Sequence, residues 1–401
     1  MIRGKPTEAR VQRTLFASVL AALSLAAFAQ SGGPRTLAEL KADVQERADR
    51  RVYPVSQLEP AEVREALGAL KTLDRDEWAA AWSAIGDRHM AQARKAESIP
   101  AEASKHYKYA FEYYLFARFP LENSPGKVKA YEKALEAFAA YAKIPYPPIE
   151  IVRIPFEGKE IVGCLRLPIN VRPAPLVLTI GGLDGRKENA SFRNDAYLDH
   201  GVAYFAFDMP GTGQSTIRQV VPGAEREFTR VLDYIATRND IDAKRVVVYG
   251  GSWGGHWAAR LAYLERERIR GAVVQGGPVH EYFQPEWQKK AIGTREYLFE
   301  LFEARAAIYG AKTLDDFLAY GPKMSLKTAG WLDKPSAPML VINGMRDTQV
   351  PVEDLFLLMR SGSPKEVWIN PQGGHMGRNV AISDQKIFET VTLPWVVRML
   401  R

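Results

Sequence analysis

Ser252 has the sequence context most typical of a nucleophile, because Gly250 and Gly254 flank it in the spacing G-x-S-x-G. An apolar run at residues 246–249 precedes this motif, and a segment with several alanines follows it. A serine on so tight a strand-to-helix turn stands clear of the backbone only if the residues two before and two after it lack a Cβ. The amides of the following helix would then face a negative charge formed at the serine. The pattern predicts a serine that attacks a carbonyl carbon.

A serine hydroxyl is a weak nucleophile near neutral pH, so it needs a histidine base that is oriented by an acid. The chain has six histidines, and three of them precede the motif. His256 lies one helical turn after Ser252, where its ring would not reach the hydroxyl at a useful angle. His280 follows the sixth predicted strand, whereas His375 lies in a glycine-rich loop after the last one. His375 is therefore the predicted general base.

The orienting acid is expected on the loop after the seventh predicted strand, residues 338–343. Asp347 lies on that loop, 28 positions before His375, which leaves room for one helix and one strand between them. Asp347 is therefore the predicted acid. Other carboxylates nearby, including Asp354, are expected to be solvated.

The negative oxygen formed during attack would need two backbone N–H donors. The residue after the nucleophile, Trp253, is expected to supply one, and Gly182 or Leu183 in the loop after the third predicted strand the other. Asp208 opens the pattern D-x-x-G-x-G-x-S, and we expect it to hold a turn. Four further residues near the predicted cleft are candidate substrate contacts, namely Asp184, His280, Glu281 and Tyr282.

Two regions with different periodicity must position these residues. Residues 30–144 show helical spacing of apolar and aromatic side chains, which predicts an all-helical N-terminal domain. The proline-rich residues 145–148 separate it from a second domain, residues 145–401, in which apolar strands alternate with helices. Alternation of this kind predicts a mostly parallel, doubly wound α/β sheet. Residues 279–335 have no strand pattern and many aromatic side chains, so they are expected to form a helical cap.

Composition limits the classes of function. The 401 residues are 46% hydrophobic and carry a formal net charge of +7, with the charges interspersed rather than clustered. This distribution does not favour nucleic-acid binding, and no His, Cys or carboxylate cluster has the spacing of metal ligands. Cys164, the one cysteine, lies in a strand-like segment and is expected to be a small core residue.

Residues 1–29 have the pattern of a secretory signal peptide. A basic stretch precedes an apolar run, and Ala27-Phe28-Ala29 provides a small-x-small cleavage site. The apolar run is too short to span a membrane comfortably. We therefore expect a periplasmic or secreted protein with no membrane association after cleavage.

Several of these motifs together resemble one family. The loop at residues 181–184, the stretch at 208–213, the serine motif, the Asp347 and His375 positions and the aromatic helix at 106–119 are similar to those of α/β-hydrolases with a helical N-terminal domain. That group includes fermentation-respiration-switch-type esterases and 2,6-dihydroxypseudooxynicotine hydrolase. The resemblance implies the α/β-hydrolase fold and hydrolysis of an ester or of a carbon–carbon bond beside a ketone. It also implies helices that help to cover the site and, in many members, to form a homodimer. Members can use a further carboxylate after the sixth strand, for which Glu281 is the nearest candidate.

The sequence thus predicts a secreted, cofactor-independent serine hydrolase that forms an acyl-enzyme on Ser252. Aromatic side chains in the cap favour a small apolar or aromatic substrate, although a packed lid would have the same composition; they are Tyr282, Phe283, Trp287, Tyr297 and Phe299. Two alternatives remain open at this stage. One is a peptidase, because the G-G-S-W-G-G motif resembles that of prolyl-oligopeptidases. The other is a non-catalytic binding protein with the hydrolase fold.

Overall fold

The computed structural model describes residues 34–193 and 195–401. The predicted signal peptide, residues 1–29, lies outside the described residues. In the part that is described, no helix combines the length and the apolar character needed to cross a membrane.

The N-terminal part of the described chain is helical, as the aromatic and apolar spacing predicts. Its five helices are α1 (Leu37–Asp49), α2 (Pro60–Ala69), α3 (Arg75–Lys95), α4 (Pro100–Ala117) and α5 (Pro125–Tyr141). Side chains at the N-terminal ends of the helices explain where each helix begins. Thr36 and Glu39 form a reciprocal capping box on α1, and the Asp74 carboxylate accepts the first free amides of α3. Proline occupies the first turn of α2, α4 and α5, where no N–H is needed.

Eight strands follow and form one mixed sheet, which confirms the predicted fold class. The strands are β1 (Glu150–Phe156), β2 (Lys159–Arg166), β3 (Ala174–Ile180), β4 (Ala203–Phe207), β5 (Ile241–Gly251), β6 (Gly271–Gln275), β7 (Met339–Gly344) and β8 (Lys365–Asn370). Their order across the sheet is β1-β2-β4-β3-β5-β6-β7-β8. The β1–β2 and β2–β4 pairs are antiparallel, and every other pair is parallel. β3 and β4 are buried along their whole length, as expected for strands covered on both faces.

Helices cover both faces of the sheet. They are α6 (Lys187–Arg193), α7 (Asp195–Asp199), α8 (Arg226–Ala236), α9 (Trp253–Leu264), α13 (Val352–Met359), α14 (Asp384–Ile387) and α15 (Leu393–Met399). Three more helices lie between β6 and β7, in the segment predicted to form a cap: α10 (Pro285–Ile292), α11 (Leu301–Tyr309) and α12 (Leu314–Tyr320). Helix α9 is buried on nearly every side, which its small and aromatic side chains allow.

The N-terminal helices pack directly on the cap. Phe299 of the cap lies edge-on to Trp78, with 4.9 Å between ring centroids, and edge-on to Phe119 at 5.5 Å. Phe119 also stacks on Tyr297 at 5.7 Å. These contacts join the helical layer and the cap into the same hydrophobic core as the sheet. Cap aromatics at this seam therefore act in packing, as the packed-lid interpretation of the sequence allowed.

Candidate active site

Ser252 lies on the sharp turn between β5 and α9. Its backbone has φ 53° and ψ −124°, a positive φ that side chains rarely adopt. A Cβ at Gly250 would overlap the carbonyl oxygen of Gly254, and a Cβ at Gly254 would overlap that of Ile180. The Ser252 amide donates to the Gln275 carbonyl oxygen at 2.8 Å, which ties the turn to β6. The two glycines of the motif are thus required by close backbone contacts.

The structure brings the three predicted catalytic side chains into one hydrogen-bonded chain. The Ser252 hydroxyl oxygen lies 2.8 Å from Nε2 of His375, and Nδ1 of the same ring lies 2.8 Å from Oδ2 of Asp347. The imidazole is nearly enclosed, with 4% of the His375 side chain exposed and none of the Asp347 side chain. Because the carboxylate can only accept, Nδ1 carries the proton and Nε2 is left to accept from the serine.

The Asp347 carboxylate is held in place from its other side as well. Its Oδ1 accepts the amide N–H groups of Gln349 at 2.8 Å and Val350 at 2.9 Å. These two bonds leave Oδ2 free to receive His375. Donors on both oxygens fix the plane of the carboxyl group.

The predicted oxyanion donors surround Ser252. Trp253 is the first residue of α9, so its amide belongs to the unpaired first turn of that helix. Gly182 lies across from the serine: a Cβ built on it would be 3.0 Å from Cβ of Ser252 and 3.1 Å from the Gly251 carbonyl oxygen. Leu183 follows and is buried. Their role as N–H donors to a negative oxygen stays a prediction, and this arrangement is compatible with it.

Buried charges hold the loop that carries Gly182. Asp208 accepts the Lys187 amide at 2.8 Å and its ammonium at 3.0 Å, and it also accepts the Gln214 amide at 2.9 Å. Burial alone would raise the pKa of Asp208, but the Lys187 and Arg186 cations hold it below its usual range. Arg186 in turn binds both carboxylate oxygens of Glu122, which follows α4. Asp208 holds a turn, as the sequence predicts.

The four candidate substrate contacts differ in their surroundings. The Tyr282 hydroxyl accepts the Trp253 indole N–H at 2.9 Å, and both side chains are buried. Asp184 is bound by the Tyr53 hydroxyl from the loop after α1. His280 is hydrogen-bonded to the Ser325 hydroxyl at 2.7 Å. Glu281 is exposed. A substrate role for these four residues stays a prediction.

Asp354 corrects one expectation, because it is buried rather than solvated. Its carboxylate accepts the amide N–H groups of four consecutive residues, 279–282, at 2.7–3.2 Å. Burial nevertheless raises its pKa to about 6. The side chain therefore ties the start of the cap to α13. No local pattern marks it, since its donors lie more than 70 positions away.

Glu296 is a second residue that sequence reasoning missed. Its carboxylate contacts the loops that carry Asp347 and His375, through the amides of Thr348 at 3.0 Å and of His375 at 2.6 Å. It lies in the cap, 79 positions before His375. Glu281, the candidate for the further carboxylate that the family resemblance implies, does not make these two contacts.

The other histidines have different surroundings. His256 is buried within α9, with Nδ1 3.1 Å from the Pro278 carbonyl oxygen. Burial lowers its pKa to about 3, so the ring is neutral and acts in packing. His89 and His106 pair with each other in the N-terminal helices, their Nδ1 atoms 3.0 Å apart. Within residues 34–193 and 195–401, no group of three or more His, Cys, Asp or Glu side chains is arranged to hold a metal ion.

The eight-stranded sheet with a serine turn after β5, and with acid and histidine loops after β7 and β8, defines an α/β-hydrolase. Residues 64–372 match the Esterase FrsA-like family, and the chain belongs to that family. It is 29% identical over 284 residues to esterase FrsA of Vibrio vulnificus (strain YJ016), covering 69% of this chain and 66% of that protein, slightly under two thirds of its length.

Solved structures share the fold. The crystal structure of 2,6-dihydroxy-pseudo-oxynicotine hydrolase is similar with a TM-score of 0.73 and 19% identity, over 85% of this chain and 92% of that one. AbyA5 is similar with a TM-score of 0.70 and 22% identity, over 91% of this chain and 95% of the other. Both likenesses extend over the N-terminal helices as well as the sheet, since they cover far more than the hydrolase domain alone.

Proposed function

We propose that this protein is a serine esterase in which Ser252 forms an acyl-enzyme with a small apolar or aromatic ester. The observation that carries the proposal is the continuous hydrogen-bonded chain from Ser252 through His375 to Asp347, with 2.8 Å at each step. Membership of the FrsA-like esterase family supports hydrolysis of an ester rather than another bond.

In this mechanism Oγ of Ser252 attacks the ester carbonyl carbon while Nε2 of His375 takes its proton. Asp347 keeps the imidazole in the tautomer that can accept at Nε2, and it stabilises the imidazolium that forms. The carbonyl oxygen becomes negative and lies against the amides of Trp253 and of the Gly182–Leu183 loop. His375 then returns the proton to the leaving alcohol. The same ring activates a water that attacks the acyl carbon and releases the acid and free Ser252.

The first test is labelling of the purified protein with a fluorophosphonate, with Ser252→Ala as the matched variant. Wild type is expected to label stoichiometrically and the variant not at all. A folded wild type that does not label would refute the proposal that Ser252 is activated and would favour the non-catalytic binding protein.

A panel of p-nitrophenyl esters, peptide amides and aryl ketones then shows which class of bond the protein cleaves. Turnover of the amides with none of the esters would favour the peptidase, and turnover of the ketones alone would favour carbon–carbon hydrolysis.

We also propose that the protein is exported and that it forms a homodimer. Export rests on the signal-peptide pattern of residues 1–29, and the dimer rests on the family resemblance. Mass spectrometry of the N-terminus from a periplasmic fraction is expected to give Gln30 as the first residue. Sedimentation of the purified protein tests the dimer, and a single species of monomer mass, 44.8 kDa or less after cleavage, would refute it.

A further inference from the structure

Glu296 connects the cap to both catalytic loops through a single carboxylate. Its Oε1 accepts the main-chain N–H of His375 at 2.6 Å. Its Oε2 accepts the main-chain N–H of Thr348 at 3.0 Å and is also bound by the Thr348 hydroxyl. Thr348 directly follows Asp347, so the base loop and the acid loop meet at one half-buried side chain.

Only a side chain with two acceptor oxygens satisfies this arrangement. Donors point at both oxygens of Glu296, and a carboxylate is the side chain that offers two acceptors and no hydrogen. A glutamine has one acceptor oxygen, and its NH₂ group would face the N–H of His375 or of Thr348. One of the two loops would lose its partner and be pushed away. Charge-assisted bonds of this type are about twice as strong as neutral ones, so both loops are held firmly.

A second contact limits the movement of the His375 loop. The Gln275 side-chain NH₂ donates to the Met376 carbonyl oxygen at 3.0 Å, from the end of β6. Met376 itself has a positive φ of 63°, which is strained for a side chain of that size. The loop is thus fixed on one side by the sheet and on the other by Glu296 of the cap.

The N-terminal helices hold the segment that carries Glu296. Arg35 donates to the carbonyl oxygens of Arg295 at 2.6 Å and Tyr297 at 3.1 Å, and also to that of Leu298. Arg47 of α1 donates to the carbonyl oxygen of Glu296 at 3.2 Å. The backbone on either side of Glu296 is therefore bound to the helical layer, which restricts where its carboxylate can lie.

We infer that Glu296 is a positioning residue for catalysis: it holds His375 and Asp347 in the separation that their hydrogen bond requires. The inference rests on the proposed esterase function. Glu296 binds the backbone amides of both loops, so it acts through them rather than on the substrate. Displacement of a catalytic group by about 1 Å can lower the rate by as much as about 100-fold.

The test compares Glu296→Gln with Glu300→Gln as a matched control. Glu300 lies four positions later in the same segment and is also half-buried, but its carboxylate binds Lys127 at 2.8 Å and Arg75 of the N-terminal helices. Glu300→Gln weakens the docking of the cap without touching either catalytic loop.

With p-nitrophenyl butyrate, Glu296→Gln is expected to lower kcat about 10- to 100-fold with little change in KM. Glu300→Gln is expected to lower the unfolding temperature while kcat stays close to that of wild type. A purely structural role for Glu296 would make the two variants behave alike.

A second readout does not depend on activity. In hydrogen–deuterium exchange, peptides over residues 344–351 and 371–379 are expected to exchange faster in Glu296→Gln and at the wild-type rate in Glu300→Gln. Thr348→Val removes only the hydroxyl donor, so it is a milder variant with a smaller loss of kcat if Glu296→Gln does not fold. Unchanged exchange, or faster exchange with unchanged kcat, would overturn the inference. A wild type inactive toward esters and fluorophosphonate would instead refute the proposed function, and exchange alone would still decide whether Glu296 anchors the two loops.

Discussion

Gly182→Ala tests whether the loop after β3 must approach Ser252 as closely as the structure indicates. The added Cβ would lie 3.0 Å from Cβ of Ser252 and 3.1 Å from the carbonyl oxygen of Gly251. Favourable contacts between such atoms lie at about 3.5–4.0 Å, so the loop and the serine must separate by about 0.5 Å. The Ser252 hydroxyl oxygen would be 3.6 Å from the added Cβ, so it is not blocked.

A shift of this size acts on the transition state more than on folding. If a displacement of about 1 Å lowers a rate about 100-fold, then about 0.5 Å lowers it about tenfold. Gly185→Ala is the matched control in the same loop, because its Cβ would meet only the Gly182 nitrogen, at an ordinary 3.6 Å. Both changes remove backbone freedom from the unfolded chain, which stabilises each variant by about 0.4–1 kcal/mol where no clash occurs. The comparison therefore isolates the close approach to Ser252.

The assay is steady-state hydrolysis of p-nitrophenyl butyrate together with the rate of fluorophosphonate labelling. We expect kcat/KM to fall about tenfold in Gly182→Ala, with a parallel fall in labelling, and to stay near wild type in Gly185→Ala. Urea denaturation of both variants checks that they are folded. Equal activity in the two variants would refute the reasoning, because it would mean that the loop can retreat without moving a group that acts in the reaction.

Three further predictions concern buried side chains. His256 has a pKa of about 3 in the folded state against an ordinary 6.5, so the unfolded chain binds more protons between these values and stability falls as the pH falls through that window. The contribution of His256 to this loss is about 2 kcal/mol by pH 5, so in urea denaturation at pH 7 and pH 5 wild type is expected to lose about 2 kcal/mol more than His256→Gln over the same change of pH. Tyr282→Phe leaves the buried indole N–H of Trp253 without its acceptor, which should lower the free energy of unfolding in urea by about 1–3 kcal/mol. Burial raises the pKa of the Cys164 thiol, so Ellman's reagent should react with it only in denaturant; rapid reaction of native protein would contradict its burial.

Much of the site could be predicted from sequence because its signals are local. The glycines around Ser252 are demanded by a turn of a few residues, and the strands before Asp347 and His375 are short apolar runs that end in polar loops. In a parallel sheet such loops meet at the carboxyl edge, so the order along the chain indicates which residues come together. The fold class follows from the same alternation of strands and helices.

The supporting contacts could not be predicted in this way. Asp354 resembles any surface carboxylate at the start of a helix, yet the packing of the cap buries it against four amides. Glu296 lies in a segment with no regular periodicity, and its partners come from two loops that follow separate strands. The sequence places Tyr282 among the candidate substrate contacts, and only the packed structure shows that its hydroxyl accepts the Trp253 indole N–H. Each depends on distances between elements that are remote in sequence.

The contacts of Arg35 have a consequence for how the protein is made. Its carbonyl partner at Arg295 lies 260 positions later in the chain. The N-terminal helices therefore leave the ribosome long before the main-chain oxygens that they bind exist, and Arg35 stays hydrated until residue 298 has been synthesised. Contacts of such long sequence separation form late in folding. Ser252 is thus translated before His375 and before the backbone of residues 295–298, so its surroundings are completed only when nearly the whole chain has emerged.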